Sequence, residues 1–91
     1  MAKQIHFTEH SLNSIADRSI SHQLVETAIN YPDEIVSGYD SRFVYMKKFF
    51  DNELNQQMLL RVIVEERSSE LVVITVYKTS HIDRYLKESS Q

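Results

Sequence analysis

The stretch FVYMKKFFDNELNQQMLLRVIVEERSSELVVITVYK (43–78) decides the fold. It divides into FVYMKKFF (43–50), QMLLRVIVEE (57–66) and ELVVITVYKT (70–79), all rich in β-branched and aromatic residues and separated by the polar turns DNELNQ (51–56) and RSS (67–69). This spacing predicts antiparallel strands. The alternation favours a register with Lys47 opposite Arg61 and Arg61 opposite Thr75, because every row across the sheet then pairs like with like. One face would carry Val44, Val64 and Val72, then Met46, Val62 and Ile74, then Leu60 and Val76, which is a core. The other would carry Tyr45, Ile63 and Val73, then Lys47, Arg61 and Thr75, then Phe49, Leu59 and Tyr77. A half-apolar face that sets cations beside phenols is costly to leave bare, so it is expected to meet a ligand or a partner.

Upstream, Thr8 followed by Glu9, His10 and Ser11 is an N-cap signal, and Leu12, Ile15 and Ala16 form a short apolar stripe, predicting a helix over about 9–17. Ser21 is the next cap. Leu24, Val25, Ala28 and Ile29 make the stripe of a second helix over about 22–30, which stops before Pro32 because the residue preceding a proline avoids helical angles. EIVSGYD (34–40) alternates weakly, and a turn at Asp40-Ser41 would pair it with 43–50, setting Val36 opposite Met46 and Glu34 opposite Lys48. Gly38, the only glycine, then falls within a strand, where it suggests a bulge or a close backbone approach. SHIDRYLKES (80–89) offers Ser80 as a cap and Ile82, Tyr85 and Leu86 as a small amphipathic turn. The expected architecture is one α+β domain over 1–91, with two N-terminal helices packed on one face of a four-stranded antiparallel meander and a short C-terminal helical turn.

Composition narrows the function. A chain of 91 residues is one small core, burying about 60–65% of its unfolded surface. No apolar run is long enough to span a bilayer, and MAKQIHF has no apolar signal core, so a cytoplasmic location without membrane association is expected. The absence of cysteine removes disulfides, thiolate nucleophiles and thiolate metal sites. The net charge of −3 argues against coating nucleic acid by charge alone. The cations are unevenly placed, however. Residues 1–41 hold two cations against six anions, whereas 42–91 hold eight against seven, so a small basic site on the sheet half is compatible with the acidic average.

The order TEHSLNSIADRSIS (8–21), INYPDEI (29–35), VYMKK (44–48), LLRVIVEE (59–66) and VVITVYKTS (72–80) resembles a bacterial family of domains of unknown function related to RelE, ParE and BrnT toxins. The likeness covers about residues 6–79. Its usual pattern is a histidine in the first helix, an Arg-Gly-Ile-Ser joint, a helix closed by Asn-x-Pro and a final strand ending near Val-Tyr-Lys. Ser19 stands here where that pattern has glycine. The resemblance implies a RelE-like fold and a toxin-like component of a toxin–antitoxin pair, partnered by a small antitoxin-like protein. RNA is the target it suggests, DNA is not expected, and a metal-independent endoribonuclease is the expected activity because two cations share one cross-strand row without a metal cage. Within the wider superfamily some members cleave ribosome-bound messenger RNA and others poison gyrase. The alternative is a non-catalytic protein-binding module of the same fold that pairs with a small partner or forms a homo-oligomer.

RNA cleavage by 2′-hydroxyl attack needs a group to remove a proton, a cation to neutralise the phosphorane and a group to protonate the leaving oxygen. Arg61 is the leading cation, because a guanidinium placed mid-strand among apolar neighbours is costly unless it meets an anion. Lys47 is expected beside it, with Tyr45 close by, and Tyr77 can donate a proton or stack on a base. His10 and Arg18 occupy family-pattern positions and Lys78 closes the final strand, so these three define a second candidate site at the sheet edge. Each has an ordinary structural use as well: an exposed helix histidine, a cation at a helix C-terminus, and a lysine snorkelling from the core edge. His6 and His10 have the spacing of helical metal ligands, but His6 precedes the cap, so no metal and no other cofactor is expected. No nucleophile elbow accompanies any serine.

Overall fold

The computed structural model describes residues 3–86. The elements are β1 (Gln4–Phe7), α1 (Glu9–Asp17), α2 (His22–Asn30), β2 (Glu34–Ser37), β3 (Arg42–Asp51), β4 (Gln56–Glu66), β5 (Glu70–Thr79) and α3 (Ile82–Tyr85). The last residues of the expected C-terminal turn, 87–89, lie outside the described residues. The protein is a mixed α+β domain, and both long helices begin where their caps place them. Thr8 accepts a hydrogen bond from the Ser11 N–H, and Ser21 accepts one from the Leu24 N–H. The Thr8 hydroxyl also donates to the Val73 carbonyl at 2.9 Å, tying the start of α1 to β5.

Between the helices the chain turns sharply at Ser19, whose φ is +56°. The Ser19 N–H donates to the Ala16 carbonyl and the Ile20 N–H to the Ile15 carbonyl, which together form a Schellman motif. Ile15 and Ile20 are both buried in the same core cluster, the apolar contact that accompanies such a motif. The backbone therefore supplies the helix closure, and Arg18 remains exposed at the C-cap.

The sheet corrects the expected meander. It has five strands in the order β1-β5-β4-β3-β2, and β1 runs parallel to β5, with Ile5 opposite Leu71 and Phe7 opposite Val73. Only the β2 to β5 part is an antiparallel meander. The N-terminal strand is four residues with a short alternation, too little pattern to announce itself, and its stability comes from docking Ile5 and Phe7 against the core.

The β3–β4 register also differs from expectation. Lys47 lies opposite Leu60, and Arg61 lies opposite Met46 and Tyr77. A one-residue slip reverses every side chain of β3. Met46 and Val44 therefore join the Arg61 face, whereas Tyr45, Lys47 and Phe49 turn to the helices. The doublets Phe49-Phe50 and Leu59-Leu60 are apolar on both faces, so alternation alone does not choose between the registers. The turn chooses: Asp51 and Gln56 close the hairpin, with the Asp51 carboxylate accepting from the Glu53 and Leu54 N–H groups and Asn55 at φ +55°.

Between β4 and β5 the pairing shifts between Ile63 and Val64: Ile63 faces Thr75, and Val64 faces Val73. Ile74 is the extra residue of this bulge and stays partly exposed, while Val73 moves to the buried helix face. In β2, Glu34 faces Met46 and Val36 faces Val44, two residues from the expected pairing but on the same face. Gly38 lies just beyond β2, where an added Cβ would come 3.2 Å from the Arg42 carbonyl oxygen, the close approach foreseen for it.

The result is two unequal layers. Val25, Ala28 and Ile29 of α2 and Ile15 of α1 pack on Leu60, Val62, Val64, Val73 and Val76, which is the main core. On the reverse face, α3 brings Leu86 onto Met46 and Leu59, with Ile82, Tyr85, Val36 and Val44 around them. No helix among the described residues is long and apolar enough to cross a membrane.

Candidate anion-binding site

The reverse face is where the structure places Arg61. Its row, Met46–Arg61–Tyr77, crosses the middle of the sheet, and α3 lies over it. The guanidinium carbon sits 3.9 Å from the Tyr85 ring centroid and 5.6 Å from that of Tyr77. Nε and Nη1 are both shielded from solvent and have no hydrogen-bond partner. A desolvated cation–π contact returns about 2 kcal/mol, whereas leaving a buried donor unmade costs about 1–3 kcal/mol and more when it is charged. Two such donors on one guanidinium are not compensated by the rings alone. Nε and Nη1 open on different edges of the guanidinium, so an anion held by Nη2 together with either of them would satisfy one.

One row along, about 7 Å away at the strand rise, Lys48 lies opposite Leu59, which in turn faces Thr79. A groove of about 660 Å³ opens there, lined by Lys48, Ser80, His81, Ile82, Asp83 and Arg84. Basic side chains thus border the Tyr85 helix on the face that carries Arg61.

Of the residues singled out from the sequence, Arg61 and Tyr77 come together. Lys47 does not join them: it is on the helix face and its Nζ donates to the Tyr31 carbonyl at 2.9 Å, satisfying the C-cap residue of α2. The Tyr45 phenol is on that face too, and burial together with the nearby Glu66 charge pushes its pKa above the ordinary value, so it stays protonated at neutral pH. The proposed His10–Arg18–Lys78 edge cluster is not brought together by any contact among the described residues. Lys78 instead donates to Asp51 Oδ2 at 2.6 Å, with both side chains largely buried. That hydrogen bond is the main reason the Asp51 carboxyl is held below the usual carboxylate range, with the Leu54 and Glu53 N–H groups adding to it. His10 is exposed on α1, as is Arg18 at its end. His6 is on β1 and His10 on α1, and no group of three His, Cys, Asp or Glu side chains among the described residues could hold a metal.

Sequence reasoning missed Tyr85 as a partner of Arg61, and it missed the Lys48, His81 and Arg84 border. Ile82 and Tyr85 share the i, i+3 spacing of one helical face, which was a signal that the tyrosine docks with the isoleucine rather than facing water. The strand on which it docks depended on the β3 register.

These features define a small α+β domain with an arginine caged by tyrosines on the sheet face away from its helix pair. Residues 7–78 match the family described as Domain of unknown function (DUF4258), and the chain belongs to that family. No curated protein and no solved structure matches the chain.

Proposed function

We propose that this chain is a RelE-like, toxin-like component of a bacterial toxin–antitoxin pair, acting in the cytoplasm on RNA through the sheet face that carries Arg61. The observation that supports the reading is the half-buried Arg61 between Tyr77 and Tyr85, whose shielded Nε and Nη1 have no partner. In this reading α3 shifts to admit a phosphodiester to an edge of the guanidinium, where the unpaired donors point. The 2′-hydroxyl attacks phosphorus as its proton passes to water, the bond to the 5′-oxygen breaks as that oxygen takes the Tyr77 phenolic proton, which water restores, and Arg61 carries the charge of the phosphorane. Tyr77 and Tyr85 offer stacking surfaces to the flanking bases, and Lys48, Arg84 and His81 line the path of the strand. The reaction needs no metal, since Arg61 supplies the positive charge. A small antitoxin-like protein encoded nearby would hold the face inactive.

Induced expression tests this reading. The parent chain is expected to arrest growth and to fragment RNA in the presence of chelator. Arg61→Ala should lower cleavage by about 10²–10³-fold, the usual cost of one charge stabiliser matched to the transition state, and relieve the arrest while leaving the fold intact. An Arg61→Ala chain as toxic as the parent, or cleavage abolished by chelator, would sink the assignment.

The second reading is a non-catalytic binding module. It is favoured by the closure of α3 over Arg61 and by the net charge of −3. Such a module would leave growth and RNA untouched, yet would bind the product of a neighbouring reading frame and lose that binding on Arg61→Ala.

A further inference from the structure

We propose that the free edge of β2 pairs with the β2 of a second copy, antiparallel about a two-fold axis at Ile35, so that two sheets join into one. This stands apart from the RNA reading, because Ile35 pairs with Tyr45 and so points to the face opposite Arg61.

The strand order leaves β2 at an edge of the sheet. The Gly38 N–H donates to the Arg42 carbonyl at 2.7 Å, which marks 38 and 42 as a hydrogen-bonded pair. The antiparallel ladder alternates, so Val36 and Glu34 also direct their backbone groups at β3, and Ile35 and Ser37 direct theirs outward. The edge is short, at four residues, but its outward row contains neither proline nor lysine.

The side chains say what fits there. Tyr31, Ile35 and Tyr39 are 73%, 47% and 88% exposed, which is unusual for three large apolar residues on one short stretch. Tyr31 caps α2 just before β2 and Tyr39 begins the turn just after it, so a two-fold at Ile35 brings the Tyr31 end of each strand beside the Tyr39 end of the other. The same register sets Glu34 against Val36 and Asp33 against Ser37. The segment is acidic, yet no acid meets an acid. The Ile35 pair would exchange both backbone hydrogen bonds, and the Ser37 N–H would reach the second copy's Asp33 carbonyl. The Asp33 N–H is already donated to the Met46 carbonyl at 2.8 Å and is not needed. A two-fold perpendicular to the sheet does not exchange its faces, so both Arg61 sites would open on the same side of the dimer.

The test uses the full chain. Sedimentation equilibrium is expected to show a concentration-dependent dimer. Ile35→Asp, which sets two carboxylates face to face, and the double variant Tyr31→Ser/Tyr39→Ser should each raise the dimer dissociation constant by about tenfold or more without changing the far-ultraviolet circular dichroism. The chain has no native cysteine. Cα atoms of a hydrogen-bonded antiparallel pair lie about 5.5 Å apart, within disulfide range, so Ile35→Cys should cross-link on mild oxidation. Asn13→Cys, exposed on α1, is the control. A parent chain that stays monomeric up to about 1 mM overturns the proposal. So does a dimer indifferent to Ile35→Asp, an Ile35→Cys chain that cross-links no faster than the control, or an edge that pairs only with a different protein.

Discussion

The two faces of the sheet each bury a cation, and they treat it in opposite ways. On the helix face, Lys78 meets the Asp51 carboxylate at 2.6 Å, and that carboxylate is in turn held by two backbone N–H groups. On the reverse face, Arg61 is stacked between tyrosines with Nε and Nη1 unpaired. The first arrangement is complete and belongs to the architecture, closing the β3–β4 hairpin onto β5. The second leaves Nε and Nη1 unsatisfied. A buried polar group left unsatisfied is a cost that packing does not explain, and on the proposed reading the contrast separates structural charge from charge kept for a ligand.

The largest expected effect tests which face is the main core. Leu60 is fully buried in the helix-facing cluster, and Leu60→Ala should cost about 2–5 kcal/mol in chemical unfolding. Ile74→Ala, at the partly exposed bulge, should cost clearly less. Equal losses at the two positions would break the distinction between the layers.

Next comes Lys78→Met, which leaves Asp51 without its cation and is expected to lower the unfolding midpoint. Its pH dependence gives the sharper readout. The folded pKa of Asp51 lies below its unfolded value of about 3.9, so the stability from the pair is present above that value and is lost as pH falls through the folded one. Unfolding midpoints between about pH 2 and 7 should show a shallower acid limb in Lys78→Met than in the parent. An unchanged limb would mean that Lys78 does not set the Asp51 titration.

The same exchange on the other face should have the opposite sign. Arg61→Met removes two unpaired buried donors and gives up the stacking on Tyr77 and Tyr85, so stability should range from unchanged to a gain of about 1 kcal/mol. A loss of several kcal/mol would show that the guanidinium is a structural element like Lys78, and the ligand argument would fall with it.

The smallest effect concerns the joint that holds the helix layer. Ser19 adopts φ +56°, which glycine takes without strain, so Ser19→Gly should stabilise by about 0.5–1 kcal/mol in urea unfolding. No gain would show that the strain is already relieved by the Schellman hydrogen bonds.

Local signals carried much of this molecule. Thr8 and Ser21 set the starts of α1 and α2, Pro32 lies just past the end of α2, and the β-branched runs located β3, β4 and β5, because caps, breakers and strand formers act over a few residues. Arg61 was legible as a costly mid-strand cation on the same grounds, since that cost follows from its immediate neighbours. The partners were not. Lys47 was placed beside Arg61 by an alternation that doublets such as Phe49-Phe50 leave degenerate, and a slip of one residue sent it through the sheet to the Tyr31 carbonyl.

Local chemistry therefore set the element types from α1 onward, the two-helix layer and the residue on which the functional reading rests, but not β1. Tertiary structure alone decided the parallel docking of β1, the bulge that expels Ile74, the pairing of Lys78 with Asp51 and the meeting of Arg61 with Tyr85. The physical reason is range. A cap or a turn is settled by bonds between near neighbours, whereas register and face are settled by the sum of burial across strands distant in the chain, where a single hairpin geometry decides which side every side chain takes.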